Sequence, residues 1–591
     1  MKIIVLSFIL LWGFCEAESG QGEVQVKLNL SWGGKELIFD SPSYRQSNEQ
    51  GQIRFSVNRL DFLISDIAFE KSDGSFLNLA KERDNIVFFQ GGKKTQYSFK
   101  EIPLGQYKGV RFFIGPAAQL NHSDPSVYAP DHPLNPQVNQ MHWDWKSGYI
   151  FMALEGLYGG NTVEHSGYVI HLANDENRIE VYLPYELSLK RSSLLEMECD
   201  ISSWFEGAIC FEGQNPSMHS REGDALLSSL KTQIQNSFHI ESLGRANWIE
   251  KAPSDYELLY VPKQAKGFAF QSSRSLPIPQ LPHDNPLTVS RVKLGEVLFN
   301  DPRLSKDGSI SCASCHFQKH AFTDPRVQSQ GVGGIEGERN SMPLFNLAWK
   351  KHFFWDGRKT SLRDQVLEPI SSHQEMANDL KEVVEVLSSD GQYRALFEEA
   401  FDPPHVTEQK LALALECYLL SLSSYRSRFD QALKGEIELT DLEKRGFELF
   451  MTEHEPRTGQ YGADCFHCHG GALFTDHRFH NNGITIKESD YGREQVTGLL
   501  KDRGRFSTPS LRNIALTAPY MHDGRFATLD EVLNHYNSGI EKSPTLAPNL
   551  AKQAHGGLGL KEEDLIALKA FLLTLTDPQY LEGSRDDSLG D

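Results

Sequence analysis

The sequence predicts a multidomain chain, with an N-terminal antiparallel β-sandwich or barrel followed by two mainly α-helical domains in tandem. Three observations predict it. Short runs alternating apolar and polar residues, separated by Gly, Asn and Asp turns, fill the region before residue 245. A proline-bearing connector, Leu276-Pro277-Ile278-Pro279-Gln280-Leu281-Pro282, then marks a change to helical periodicity and glycine-rich loops. Two Cys-x-x-Cys-His pentads, Cys312-Ala313-Ser314-Cys315-His316 and Cys465-Phe466-His467-Cys468-His469, stand before and after the central helices. Each is the attachment signature of a c-type haem: the cysteines form thioethers and the adjacent histidine is placed to ligate the iron. One pentad alone would also suit a zinc half-site; two in one chain read as two c-type cytochrome domains with two covalent haems.

At 591 residues the chain is long enough for about three or four domains. Its formal net charge of -20 argues against nucleic acid, which needs a basic surface, and can steer a basic electron donor. Residues 1–17 read as a signal peptide, with Lys2, an apolar run over 3–14 and a cleavage site at Cys15-Glu16-Ala17. Cys15 as a lipid-bearing residue is the less favoured reading, because Trp12-Gly13-Phe14 is bulky for a lipoprotein signal. The apolar run is too short to cross a bilayer and no other segment replaces it, so no transmembrane segment is expected. The expected location is periplasmic, secreted or surface-associated.

Residues 18–245 make the β domain, with strands expected over 23–30, 108–115, 147–156, 167–173 and 178–187. Cys199 and Cys210 can pair in an oxidising compartment, while Cys417 lies in an apolar helical stretch and reads as a buried thiol. A connector spans 246–285, the first haem domain 286–432 and the second 433–577. Helical patterns fall at 361–367, 379–387, 408–422, 441–450, 528–536 and 561–575, the last with Leu565, Leu568, Leu572 and Leu575 on one stripe. The acidic tail, 578–591, is expected to be disordered.

From about residue 276 to 577 an ordered series of motifs accompanies the pentads. It includes Asp301-Pro302-Arg303-Leu304-Ser305, Gly337-Glu338-Arg339-Asn340-Ser341, Phe354-Trp355-Asp356-Gly357-Arg358, Glu375-Met376, and the run from Leu511 through Pro519-Tyr520-Met521-His522-Asp523-Gly524. In these the chain resembles the bacterial di-haem cytochrome c peroxidase and MauG family. The resemblance implies that His316 and His469 are the proximal ligands. It implies that Glu375 is the distal acid–base carboxylate with Gln365 beside it, that Trp355 lies between the haems, and that Asn340 with the carbonyls of Thr517 and Pro519 holds calcium. It makes the first haem domain the peroxidatic one and the second the electron-transfer one. Two departures are informative. Where peroxidases of the family cap the first haem with a loop histidine, this chain has Val332, which leaves an open site unless His320 swings in. Where they place a methionine on the second haem, it has Tyr536, the MauG pattern, with Met521 nearby as another candidate.

In the β domain, Asn139-Gln140-Met141-His142-Trp143-Asp144-Trp145, Leu154-Glu155-Gly156 and Gly167-Tyr168-Val169-Ile170-His171-Leu172 resemble the MbnP-like copper-binding proteins associated with methanobactin gene clusters. That resemblance implies copper held by histidines, with His142, His165 and His171 the candidates, and a tryptophan oxidised by a MauG-like partner. Trp143 is favoured over Trp145. Read without the resemblance, Met141, Trp143 and Trp145 share one strand face, and aromatics so placed are usually core.

The expectation is therefore a MauG-type di-haem oxidoreductase that uses hydrogen peroxide to oxidise a protein side chain in cis or in trans. Its rivals are a cytochrome c peroxidase fed by a small electron-transfer protein, a copper-acquisition protein whose haems serve only maturation, and a passive electron-transfer cytochrome. Val332 and Glu375 disfavour the last.

Overall fold

The computed structural model describes residues 20–48, 51–79, 85–144, 148–159, 166–190, 192–211, 218, 220, 225–245, 259–273, 275–454, 461–487, 489–551 and 557–581. The signal segment, Trp145 and His165 lie outside the described residues, as does the side chain of Trp143.

The first unit is built from strands β1 (Gln21–Trp32), β2 (Arg59–Glu70), β3 (Gln96–Pro103), β4 (Gly105–Ile114), β5 (His142–Asp144), β6 (Gly148–Gly159), β7 (Ser166–Ala173), β8 (Ile179–Leu189), β9 (Ser192–Asp200) and β10 (Phe238–Arg245), with shorter strands at the edges. One sheet runs β10-β9-β1, with β3 also paired to β1; the other runs β8-β4-β2-β6, with β5 and β7 paired to β6. Alternation turns Val24, Val26 and Leu28 of β1 into a core shared by both sheets. Phe238 closes it against Phe62 and Phe112, at ring separations of 6.0 and 5.2 Å. The pairing is antiparallel except that β1 and β9 run parallel, with Val26 opposite Leu195. Cys199 is buried beside Ser237 whereas Cys210 is exposed, and both are free thiols, which corrects the disulfide considered from sequence.

Two helical cores follow, each closed by a helix crossing at a glycine. In the first, α1 (Val289–Phe299) crosses α2 (Glu408–Leu420) at Gly295, where a Cβ would stand 2.1 Å from the Ala414 carbonyl oxygen. In the second, α3 (Asp441–Met451) precedes α4 (Phe466–His469), α5 (Leu529–Ser538) and α6 (Glu562–Leu573). There Gly446 meets Ala567 of α6 the same way, at 1.9 Å. Phe571 lies at its centre, 5.2–5.3 Å from the rings of Phe429, Phe447 and Phe450. Phe429 thus packs in the second core, and the helix carrying it, Arg428–Leu433, belongs there too. The described part of the connector, 259–273 and 275–285, packs on the first core: Leu276 is buried, and the Pro277 carbonyl accepts from Trp349 Nε1 at 2.7 Å. The expected disordered tail is corrected at its start. Pro578–Tyr580 is helical, because the Tyr580 ring packs between Phe322 and Phe345 of the first core.

The β unit is seated on the second helical unit. Arg478 bonds Asp61 at 3.0 Å and Gln140 at 2.5 Å, and Lys501 pairs with Asp40 at 2.8 Å. Leu157 joins Ile540, Leu546 and Ala551 in a small apolar cluster. Among the described residues no helix is long and apolar enough to cross a membrane.

Candidate active site

The first pentad opens on a cavity of about 410 Å³ lined by Cys312, Cys315, His316, Trp355, Gln365 and Glu375. The second opens on one of about 210 Å³ lined by Cys465, Cys468, His469, Met521 and Tyr536. In each pentad the chain turns back so that a carbonyl fixes the histidine. His316 Nδ1 donates to the Phe322 carbonyl at 2.8 Å, and His469 Nδ1 to that of Phe474 at 3.1 Å. With Nδ1 protonated, Nε2 carries the lone pair that a metal takes. Burial holds both imidazoles below their ordinary value, and so neutral. None of the four cysteines is taken up in a disulfide. Two thiols and one imidazole on the wall of a cavity, twice over, are the donor set that covalent haem requires, and the residues fit that group.

Glu375 borders the first cavity in surroundings that favour its protonated form. Burial raises it above the usual carboxylate range, Arg358 opposes, and Glu368 adds to the rise. The loop bearing Val332 lies on the backbone of this segment: Val332 N donates to the Glu375 carbonyl at 2.8 Å, and a Cβ on Gly331 would meet the Gln374 carbonyl at 2.2 Å. Gly331 reaches the cavity. Among the described lining residues, neither Val332 nor His320 does, and His316 is the histidine present. Lys350, which sequence reasoning missed, also lines it; burial lowers this amine to about 8, and it lies 3.7 Å from Met342 Sδ.

Trp355 borders both cavities, as does Asn340. The indole is buried, and its Nε1 donates to the Asn340 carbonyl at 2.8 Å. Asn340 in turn donates through its amide to the carbonyls of Arg326 and Val327 at 3.2 Å each. Thr517 and Pro519 reach the same second-cavity wall. Tyr536 and Met521 both face that cavity, with the Asn482 amide between them, 3.3 Å from the Tyr536 hydroxyl and 3.3 Å from Met521 Sδ. Burial pushes the Tyr536 hydroxyl up to about 12, so it keeps its proton unless a cation faces it. Asn482 was not singled out from sequence, where Asn481-Asn482-Gly483 reads as a turn.

Behind the second pentad a cleft of about 50 Å³ separates α4 from the β unit. His142 and His171 line it from one side, and His467 and His477 from the other. The His171 and His467 rings are 5.4 Å apart, and His171 Nε2 bonds Glu155 at 3.0 Å. Arg59 also bonds Glu155, at 2.8 Å. His165, the third copper candidate, lies outside the described residues.

Residues 289–438 match the family model described as di-haem cytochrome c peroxidase, and residues 21–220 match that of MbnP. The methylamine utilization protein MauG of Methylophilus methylotrophus is 33% identical over 299 residues, covering 50% of this chain and 86% of that protein. Its namesake from Methylorubrum extorquens is 37% identical over 310 residues, covering 52% and 83%. A crystal structure of a MauG-like protein associated with microbial copper homeostasis is 32% identical, covering 53% of this chain and 97% of that one, with a TM-score of 0.49.

Proposed function

The chain belongs to the di-haem cytochrome c peroxidase and MauG family, and from that premise we propose that it is a MauG-type oxidoreductase that uses hydrogen peroxide to oxidise a tryptophan of its own MbnP domain, Trp143 or Trp145. The observation that carries this reading is the seat of the β unit. The His142 carbonyl, one residue before Trp143, lies against Gly470, the residue after the second pentad, where a Cβ would meet it at 3.9 Å.

When bound, the two haems supply the redox chemistry, taking oxidising equivalents from peroxide and drawing electrons from the protein. His316 and His469 would ligate their iron, and Cys312, Cys315, Cys465 and Cys468 would bind them covalently. Glu375 takes the proton from one peroxide oxygen and returns it to the other, which leaves as water. Gln365 shares that wall. Val332 offers no ligand, so the distal side of the first cavity stays open to peroxide. Trp355, bordering both cavities, is the stepping point for electrons between them. Tyr536 faces the second cavity as the oxygen donor. Asn340, Thr517 and Pro519 offer the oxygens that calcium takes, and His142 and His171 offer imidazoles that suit copper. The balance for one turnover is hydrogen peroxide plus tryptophan giving a hydroxylated tryptophan plus water. The MbnP domain carries this target in the same chain, so the reaction would run in cis; a second protein in trans would need an approach to the α4 face.

Peptide mapping of the full-length protein after peroxide treatment tests the reading. Added oxygen at Trp143 or Trp145 is expected, or kynurenine where a second peroxide cleaves the indole to N-formylkynurenine and water then releases formate, and neither in a His316 variant; both tryptophans unmodified would overturn it. One observation favours a second reading, a peroxidase fed by an external donor. The Met521 thioether shares the second cavity with Tyr536, and thioether ligation suits electron acceptance. Steady peroxide turnover with reduced cytochrome c, leaving the tryptophans intact, would select it.

A further inference from the structure

The side of α4 away from the second cavity carries chemistry that haem attachment does not use. Cys465, Cys468 and His469 line the haem cavity, as does Asp464 just before them, whereas Phe466 and His467 line the cleft under the β unit. His467 Nε2 stands 3.9 Å from Glu453 Oε1 and 3.8 Å from Asp464 Oδ1. One ligand atom from each of the three residues falls within 4.8 Å of the others, and all three side chains are buried. The nitrogen-to-oxygen separations are too long for hydrogen bonds. They suit donors sharing one ion at bond lengths of about 2.0–2.2 Å, which sets neighbouring donors about 3–4 Å apart.

We propose that Glu453, Asp464 and His467 bind a divalent transition-metal ion. One imidazole with two carboxylates is a borderline donor set of the kind zinc and copper take, and two carboxylate charges balance a divalent ion. Asp464 is oriented beforehand: it sits at φ 56, where Asp and Asn are tolerated, and its Oδ1 accepts from His454 N at 2.7 Å. The ligands come from just beyond α3, from just before the pentad and from within it, so the ion ties the end of α3 to the haem-attachment segment. Across the cleft the His171 ring faces His467 at 5.4 Å. A second cluster, Cys468 with Asp476 and His480, is not equivalent. Its thiol is reserved for the thioether, and His480 already bonds Asp476 at 2.6 Å. The site does not depend on the oxidation of tryptophan or on copper in the β unit, since none of its three ligands lies there.

The test uses full-length protein with both haems attached, stripped with a chelator and dialysed against zinc. One zinc per two irons is expected at this position, located by anomalous scattering at the zinc edge. Glu453→Gln and Asp464→Asn should each weaken zinc binding more than about a hundredfold, beyond the loss typical of outer-shell changes. Asp464→Asn keeps the backbone acceptor and tolerates φ 56, and an unchanged haem spectrum verifies its fold. Wild-type protein that retains no zinc, zinc scattering only at His142 and His171, or unaltered affinity in both variants would each overturn the proposal.

Discussion

Glu375 is held above its ordinary pKa by burial, with Arg358 only partly offsetting the rise. A carboxyl whose folded pKa exceeds its unfolded value of about 4.3 binds its proton more tightly when folded. Its contribution to stability is complete below that unfolded value and is lost as pH rises through the folded one. Glu375→Gln should therefore raise the thermal midpoint at pH 7 and leave it unchanged at pH 4. It should also slow the reaction with peroxide by about a hundredfold or more. Stopped-flow rates set beside melting curves check the pair; a variant both less stable and slower would mark a packing role instead. At Val332 the expected outcome is a resting ferric protein with a high-spin signal that binds cyanide without prior reduction, and a wholly low-spin spectrum would point to a capping histidine. The pentads were legible because their spacing is fixed in the linear chain; Glu375 and Trp355 came only from the resemblance to family motifs, and both line the first cavity. Lys350 was not: beside Lys351 it reads as a solvated dibasic pair, and only folding buries it in the first cavity. His467 stands at a variable position of the pentad, where the haem signature demands no residue type.

Among the elements, α5 and the loop before it compete for the second cavity, since α5 brings Tyr536 and the loop brings Met521 to either side of Asn482. Tyr536→Phe is expected to change the spectrum of the second haem and shorten the lifetime of the oxidised protein, while Met521→Leu leaves both as they are; the reverse pattern would hand the ligand to the thioether. The crossing of α3 and α6 makes a different prediction. A methyl at Gly446 would press on the Ala567 carbonyl, so Gly446→Ala should cost about 1–3 kcal/mol in denaturant titration. The helices themselves were readable from periodicity: α2, α3 and α5 start behind the caps Thr407, Thr440 and Thr528, each of which accepts a backbone N–H. The parallel pairing of β1 with β9 was not. Alternation tells which face of a strand is buried, but not which distant strand lies beside it.

At the scale of the molecule, the order of a β unit and two haem units was legible in composition and motif, but the docking was not. Its bonds join residues far apart in sequence, such as Arg478 with Asp61 and Lys501 with Asp40, and no local pattern encodes such pairs. Asp61 is nearly fully buried there and keeps Arg59 at 2.7 Å when Arg478 is lost, so the loss is that of one charged hydrogen bond rather than of a whole ion pair. Arg478→Gln combined with Lys501→Gln should weaken the seat by about 1–3 kcal/mol. Proteolysis between the units should quicken, and the yield of modified tryptophan should fall at unchanged haem content. Modification at full yield in a chain whose β unit is demonstrably loosened would show that the seat is not needed for the reaction.

The two-faced α4 also gives the protein a direction of maturation. A four-residue helix has no stability of its own, and its inner side is completed only when Cys465 and Cys468 are bonded to their cofactor. The outer side, with His467, is part of what the β unit rests on. The N-terminal unit leaves the ribosome first, yet its resting place is among the last surfaces to be finished. A molecule that failed attachment at the second pentad is therefore expected to betray itself by an N-terminal unit that does not settle and is cut more readily by added protease.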